Sequence, residues 1–458
     1  MNKKIMLSIQ SGKTELIFFI LYKLLIDFSY VTIIRDNYNE YNQFITDFSL
    51  IKYIIAFIFL ITLYLLNIKA LLSVSKMIVK LFLLLMYVPI STVYACKNDS
   101  TVFFMTITAG FFIFIMTASF MIRNIKIKKE KKNDSFIELA TNLLYYGFIA
   151  ITVILVLSCI YFNGLPSLTA LNLRDVYEVR QAFYLPRYLY YLYEFEAGFI
   201  IYFLIIVNMK RKNIKALIVF IFIQFLFFLW KGDKSAIFGL ITVIAVYLIS
   251  GKLQLNKMLC KLFFSFTSIS LILFYTVSSL PFLLLIRRML IIPANLKFIY
   301  YDFFMNHDYI GIVGTVLNSF LKIPDPYAQL PYQNLISKLY FNKVEMWSNT
   351  GFLAEGYARG GIIGSLLISG LMGVILYLIY LGVKKTDSRF ILSIAIIPMI
   401  TLNDGYLLTS FTFGSVGLLC VTCFFFDLKY LKTDFNKIIN IKGRWLNDET
   451  ANKKSETE

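Results

Sequence analysis

Apolar runs of about 20 residues recur along this chain from end to end, and no other feature restricts its fold so much. A run of that length is what the ~30 Å hydrocarbon core of a bilayer asks of one helix. The runs fall near residues 15–34, 48–66, 77–95, 101–122, 136–160, 188–209, 214–231, 235–250, 261–282, 360–383, 390–405 and 409–428. The alternating period of a membrane β-barrel is absent. Hydrophobic residues make up 59% of the chain and the mean hydropathy is +0.71, above the roughly 45–50% apolar content of soluble proteins. The expected fold is an all-α polytopic membrane protein with about 12 transmembrane helices over residues 1–430 and both ends on one side.

The net charge of +18 would point to nucleic acid in a soluble protein. Here its distribution reads as membrane topology, and nucleic acid is not an expected partner. One set of inter-span loops holds twice as many Lys and Arg as the other, which places both termini in the cytoplasm by the positive-inside rule. The basic turn at 123–134 is solvated and drawn to lipid phosphate. The tail 431–458 ends in a polar run with the composition of a partly disordered cytoplasmic segment. The first apolar run contains Lys23 and Asp27 and no small-residue cleavage site follows it, so it is expected to stay as the first span. Those two charges, four residues apart, are expected to neutralise each other, with Lys23 reaching the cytoplasmic interface. Five cysteines show no disulfide or metal framework, and the pair Cys420 and Cys423 sits in an apolar run where packing accounts for it.

Two outward loops are long, about 161–187 and 283–359, and long loops in compact proteins are usually functional. In the first, Arg174, Tyr177, Arg180, Tyr184 and Arg187 fall within one arc if the stretch is helical. Arginine forks suit bidentate phosphate contacts, and tyrosine rings suit sugar faces or the membrane interface. Glu194 and Glu196, two apart, point to different faces, so at most one looks inward. The second loop opens with Arg287 and Arg288 just outside the ninth run, with Pro293 breaking it. The semi-apolar stretch that follows carries Tyr300, Tyr301, Asp302, His307 and Asp308, and reads as a helix lying on or dipping into the outer leaflet. His307, the only histidine, reads more readily as a surface or hydrogen-bonded residue than as a catalyst. Between the seventh and eighth runs, Gly232-Asp233-Lys234-Ser235 makes a tight polar turn.

The stretch Trp347–Gly373 is the least like plain membrane filler. Glu355 and Arg359 are four apart, on one helical face and within pairing distance. Gly360 and Gly364 form a small-xxx-small pattern suited to close helix approach. An interfacial salt bridge above a packing helix and a functional site are both open readings of this feature.

Together these features resemble the bacterial O-antigen polymerase (Wzy-type, oligosaccharide repeat unit polymerase) family over residues 160–410. The likeness rests on the dozen spans with two large periplasmic loops and on the loop arginines Arg174, Arg180, Arg187, Arg287 and Arg288. It rests also on the turn at Gly232–Ser235, where Lys234 stands in place of a more usual arginine, and on Gly351–Gly364 as an acid–tyrosine–glycine–glycine entry to a late span. The resemblance implies a metal-independent glycosyltransferase of the inner membrane, without a cofactor. Such an enzyme joins undecaprenyl-pyrophosphate-linked oligosaccharide repeat units at the periplasmic face, alongside a repeat-unit flippase and a chain-length regulator. Arg287 and Arg288 would hold the departing pyrophosphate, Arg174 and Arg180 the second lipid diphosphate or the glycan, and Arg187, Arg359, Lys234, Tyr177 and Tyr301 would complete the binding surface. Glu355, then Asp302, is the expected base for the acceptor hydroxyl. The competing readings are a flippase or other transporter, an O-antigen ligase, and a non-catalytic scaffold. A flippase should show two similar halves and charges deep within helices; no internal repeat is evident, and the cations cluster outside the spans.

Overall fold

Backbone groups in lipid must find their partners within the segment itself, which favours helices, and among the described residues no strand occurs. The computed structural model describes residues 3–38, 44–71, 73–125, 134–172, 176–252 and 255–431. Nine helices there are long and apolar enough to cross a membrane. These are α1 (Gly12–Asn37), α2 (Leu50–Ala70), α3 (Val74–Cys96), α4 (Thr101–Asn124), α5 (Ser135–Asn163), α6 (Arg187–Arg211), α7 (Ile214–Lys231), α9 (Leu255–Thr276) and α12 (Phe352–Lys385). Shorter apolar helices are α8 (Lys234–Ser250), α13 (Ser388–Thr401) and α15 (Ser415–Phe425). The remaining elements that matter are α10 (Ile292–Met305), α11 (Tyr332–Phe341) and α14 (Leu407–Phe413). Each expected apolar run carries a helix. The last is broken in two, because Gly414 between α14 and α15 is extended (φ −142°, ψ −169°).

The chain divides into two compact units. The first comprises Met1–Ile125, Lys252–Tyr377 and Met399–Thr412; the second comprises Lys126–Gly251, Leu378–Pro398 and Phe413–Glu458.

In the first unit α3 is the inner helix, buried over its whole membrane-length window. It is apolar on all sides, as a helix without a solvent face must be. The buried lysines of α3 and α1, Lys80 and Lys23, are met internally. Lys80 pairs with Glu15 of α1 and donates to the carbonyl of Asn256 on α9 at 2.8 Å. Lys23 pairs with Asp27 at 2.5 Å and donates to Thr92 at 2.9 Å, while Tyr53 donates to Asp27 at 3.0 Å. The expected Lys23–Asp27 pair is therefore present, but Lys23 is 1% exposed and does not reach out to an interface. Thr92 and Tyr53 supply in the interior the polar contacts that water would have supplied.

Two further expectations fail in this unit. Pro293 does not break the chain: helix runs from Leu280 through a π-helical stretch, Leu283–Ile291, directly into α10. Pro293 sits in the first turn of α10, where its missing N–H is not needed. Nor does α10 lie on a membrane surface. Every residue from Pro293 to Phe304 except Asp302 is buried, because its polar groups are satisfied by the unit itself: Asn295 accepts from Lys97 at 3.1 Å and Lys297 donates to the carbonyl of Asn403 at 3.0 Å.

The small-residue pattern at 360–364 also works differently. Gly360 and Gly361 leave the helical conformation, Gly361 with φ +60°, so α12 is kinked. A Cβ at Gly360 would meet nothing within 4 Å. The close approach is within the kink, where a Cβ at Gly364 would lie 2.2 Å from the carbonyl oxygen of Gly356. Beyond the kink Gly373 packs on Thr117 and Phe114 of α4.

In the second unit α5 and α7 pack around the N-terminal half of α6 through Leu155, Cys159, Leu189, Tyr193, Phe227 and Trp230. The expected single arc of the first loop is not formed. Helix covers Val176–Ala182, residues 183–186 are not in a helix, and α6 starts afresh at Arg187 after Pro186. A proline disfavours helix at the residue before it. Arg174 lies outside the described residues, as does the tail from 432.

Gly364→Ala is expected to destabilise the protein by roughly 1–3 kcal/mol by overpacking, and Gly360→Ala to stay within about 0.5 kcal/mol. Thermal unfolding in detergent compares them; equal losses would mean that the kink does not depend on the Gly356–Gly364 contact.

Candidate functional site

Glu355 and Arg359 meet as their spacing requires, with Arg359 Nε donating to Glu355 Oε1 at 2.9 Å. The other oxygen, Oε2, accepts the backbone N–H groups of Leu407 at 2.5 Å and Leu408 at 3.4 Å. These are the first two residues of α14, so the carboxylate caps that helix and answers its dipole. Glu355 is 0% exposed. Arg359 also donates to the carbonyls of Gly311 at 2.8 Å and Val313 at 3.1 Å. The pair thus ties together α12, the 306–315 loop and α14, with no face of the carboxylate turned to solvent.

The tie fixes the 402–406 turn just ahead of α14, and that turn carries groups that sequence reasoning passed over. Asn403 donates to the carbonyl of Met289 at 2.7 Å and accepts at its own carbonyl from Lys297. One residue of the turn is therefore bound both to the π-helical segment beside Arg288 and to α10. Asp404 follows it with an exposed side chain. Crowding by the surrounding protein raises its carboxyl above the usual range, while the positive charges of Lys297 and, more weakly, Arg288 oppose that rise. Lys297 is 0% exposed, and burial pulls its ammonium down to about 7 against the charge of Asp404. The signals were an aspartate within an otherwise apolar run, 390–405, and a lysine in a stretch of tyrosines and phenylalanines.

Arg287 and Arg288 share the π-helical stretch. Arg288 is exposed and among the described residues forms no ion pair within 4.0 Å. Arg287 lies over the ring of Tyr38 at 5.2 Å with Nε buried and unpartnered. Around the turn, Tyr300 bonds Tyr406 and the carbonyl of Ser348, both at 2.6 Å, and Tyr332 stacks on Tyr406.

No family model, curated protein or solved structure matches this chain.

Asp302 is exposed on α10. Its carboxyl is raised to about 6, first by desolvation and then by the charge of Asp99, with Lys97 opposing. It stands fourteen residues past Arg288, about 20 Å at 1.5 Å per residue. Tyr301 stacks on Phe103 at 5.1 Å and is 9% exposed, so little of its ring is open to a sugar. His307 stacks on Phe303 at 3.9 Å and donates Nδ1–H to its carbonyl at 2.8 Å. It borders a hollow of about 630 Å³ with Phe304, Asp308, Tyr309 and Tyr327.

The other expected residues belong to the second unit. Arg180 donates to the carbonyl of Gly232 at 3.4 Å and lies 3.5 Å from Asp233, so the first loop is tied to the polar turn. Gly232 takes φ +66° there, and a Cβ would meet the carbonyl of Val176 at 3.0 Å. Lys234 is half-buried in that turn. Beside it Lys231 pairs with Glu194 at 2.8 Å. Arg187 is bonded to Tyr191 at 3.4 Å. Tyr177 lies in the Val176–Ala182 helix, with its side chain outside the described residues.

Glu355→Ala, which leaves the 9% exposed Arg359 without its partner, is expected to cost about 3–5 kcal/mol, read as a lowered unfolding temperature. For Lys297, the unfolded amine binds a proton that the folded one has released between about pH 7 and 10.5. Stability therefore rises with pH across that window, by up to about 1.4 kcal/mol per unit. Lys297→Met should flatten this slope; an unchanged slope would place the folded amine at its ordinary value.

Proposed function

We propose that the chain is a multi-pass glycosyltransferase that joins lipid-linked oligosaccharide repeat units, and that its donor site is built on Arg287, Arg288 and Asp404 of the first unit. The observation that carries this reading is the pairing of an exposed arginine lacking an ion pair with an exposed carboxylate, the turn between them anchored by Asn403. Arginine forks match the oxygens of a diphosphate. A carboxyl raised above its usual range is the better base near neutral pH.

In the proposed step, Asp404 takes the proton of the acceptor sugar hydroxyl. Its oxygen attacks the anomeric carbon of the donor glycan, and the bond from that carbon to the diphosphate oxygen breaks. The diphosphate leaves with the electron pair and is stabilised by Arg287 and Arg288. Lys297 acts as a positioning residue, holding Asn403 and hence the turn. Base and leaving group flank a single carbon, so they stand within several ångströms of one another. Asp302, about 20 Å along the helix from Arg288, is too far for that role, and Glu355 is sealed in its tie. In this reading the base is Asp404 in place of Glu355 or Asp302.

The cellular setting is proposed with it: about 12 spans, the active face periplasmic in a bacterial inner membrane, both termini cytoplasmic. A repeat-unit flippase would deliver the units and a chain-length regulator would bound the polymer. Arg180, Arg187 and Lys234 of the second unit are the candidates for the second lipid diphosphate or the glycan. Charges do lie within helices, as a transporter would have them, but Lys23, Lys80 and Lys231 are each matched by an acid, which supports a structural role for these pairs.

Arg288→Ala and Asp404→Asn are expected to leave single repeat units on the acceptor, with polymer reduced at least 100-fold on a glycan gel, while Asp302→Asn keeps a normal ladder of chain lengths. Deletion of the gene should give the same single units. Polymer stranded on its carrier would indicate a ligase, and units confined to the cytoplasmic leaflet a flippase; a normal ladder from Arg288→Ala and Asp404→Asn would remove both residues from the reaction.

A further inference from the structure

Glu196 is a buried acid without an ion pair among the described residues. It lies at 0% exposure inside α6, where its Oε1 accepts from the Thr152 hydroxyl at 2.8 Å and its Oε2 is buried with no hydrogen-bond partner. It opens a π-helical stretch, Glu196–Ile200, a local widening that recurs at functional sites. The chain spends a less regular backbone here, and Gly198 in the same stretch brings α15 close, with a Cβ at that position only 3.3 Å from Ser415.

The charged groups on the packed elements are already accounted for. On its own helix Glu194 is paired with Lys231 of α7 at 2.8 Å, and Lys210 with Asp387 at 2.5 Å. Arg211 and, on α5, Glu138 stand fourteen or more residues along from Glu196 and Thr152, about 20 Å. α15 contributes Ser415, Cys420 and Cys423 but no charged side chain. Tyr145 of α5 is bonded to Asn208 at 3.3 Å. A carboxylate with neither cation nor full hydrogen bonding is costly in such a place.

We propose that Glu196 is the binding site of one small cation, a proton or a sodium ion, held by its carboxyl with the Thr152 hydroxyl within the second unit. A hard oxygen pair selects such ions over soft metals. The site is separate from the proposed glycosyl-transfer chemistry and stands whether or not that reading holds.

The test uses the full-length protein in detergent or nanodiscs and two measurements. Dicyclohexylcarbodiimide, an apolar reagent that modifies protonated carboxyls, is expected to label Glu196, as mapped by mass spectrometry, with labelling falling several-fold as pH is raised. Labelling lowered by 100 mM sodium chloride but not by potassium chloride identifies sodium as the ion; labelling that follows pH alone identifies the proton. Thermal unfolding of Glu196→Gln, which keeps the shape without the acid, supplies a readout that does not depend on reagent access. The folding equilibrium of the wild type relative to the variant should shift by up to about tenfold per pH unit, or by a similar factor with sodium. Either response supports the site. Absence of labelling together with a wild-type-to-variant difference that is flat in pH and in sodium overturns it.

Discussion

A single carboxylate organises the first unit. Glu355 takes a guanidinium with one oxygen and the first turn of α14 with the other, while that same guanidinium holds two carbonyls of the 306–315 loop. Three pieces of chain distant in sequence are thereby referred to one point. Each bond is charge-assisted and the carboxylate itself is fully buried, which is the condition under which such bonds are strong and their loss is severe. The 402–406 turn inherits its position from this tie at one end and from Lys297 and Met289 at the other. Glu355 therefore governs where Asp404 stands without offering any lone pair to a substrate.

The same economy of polar groups runs through the rest of the fold. Lys23 with Asp27, Lys80 with Glu15 and Lys231 with Glu194 are buried or half-buried pairs, and α10 is polar enough to look like a surface helix yet is enclosed because its neighbours satisfy it. Against that background the unsatisfied atoms are informative. Arg287 Nε, the side-chain oxygen of Asn403 and Glu196 Oε2 are buried without partners. The first two flank the Arg288–Asp404 region; the third lies in the second unit. Native proteins leave few such groups, and those they leave are commonly where a ligand or ion completes the set.

The helices were legible from the sequence because their signal is local: twenty apolar residues need nothing but lipid to explain them. Pairs at i, i+4 were legible for the same reason, as Glu355–Arg359 and Lys23–Asp27 illustrate. What could not be read was the use of a group once long-range partners were added. Glu355 looked open to a substrate on one side because its second partner, the amide of Leu407, is fifty-two residues away. Gly360 looked like a packing glycine because the contact that matters, Gly356 against Gly364, exists only after the helix bends. Asp404 stood out only as a charge inside an apolar run, since nothing nearby in sequence signals that Lys297 and Arg288 come to it.

The two sets of arginines differ in what they have left to give. Arg180 is bonded to the Gly232–Asp233 turn and Arg187 to Tyr191, so binding an anion there competes with contacts already made. Arg288 has no such prior commitment, and Arg287 presents a fork whose Nε is unpartnered above an aromatic ring. A leaving group that develops charge only during bond breaking is best served by cations that need not first surrender a carboxylate, since preorganised groups act without rearrangement at the moment of reaction. A resting lipid diphosphate makes no such demand and can be held by arginines that exchange one partner for another. In the proposed reaction the uncommitted pair therefore suits the donor, whose bond breaks.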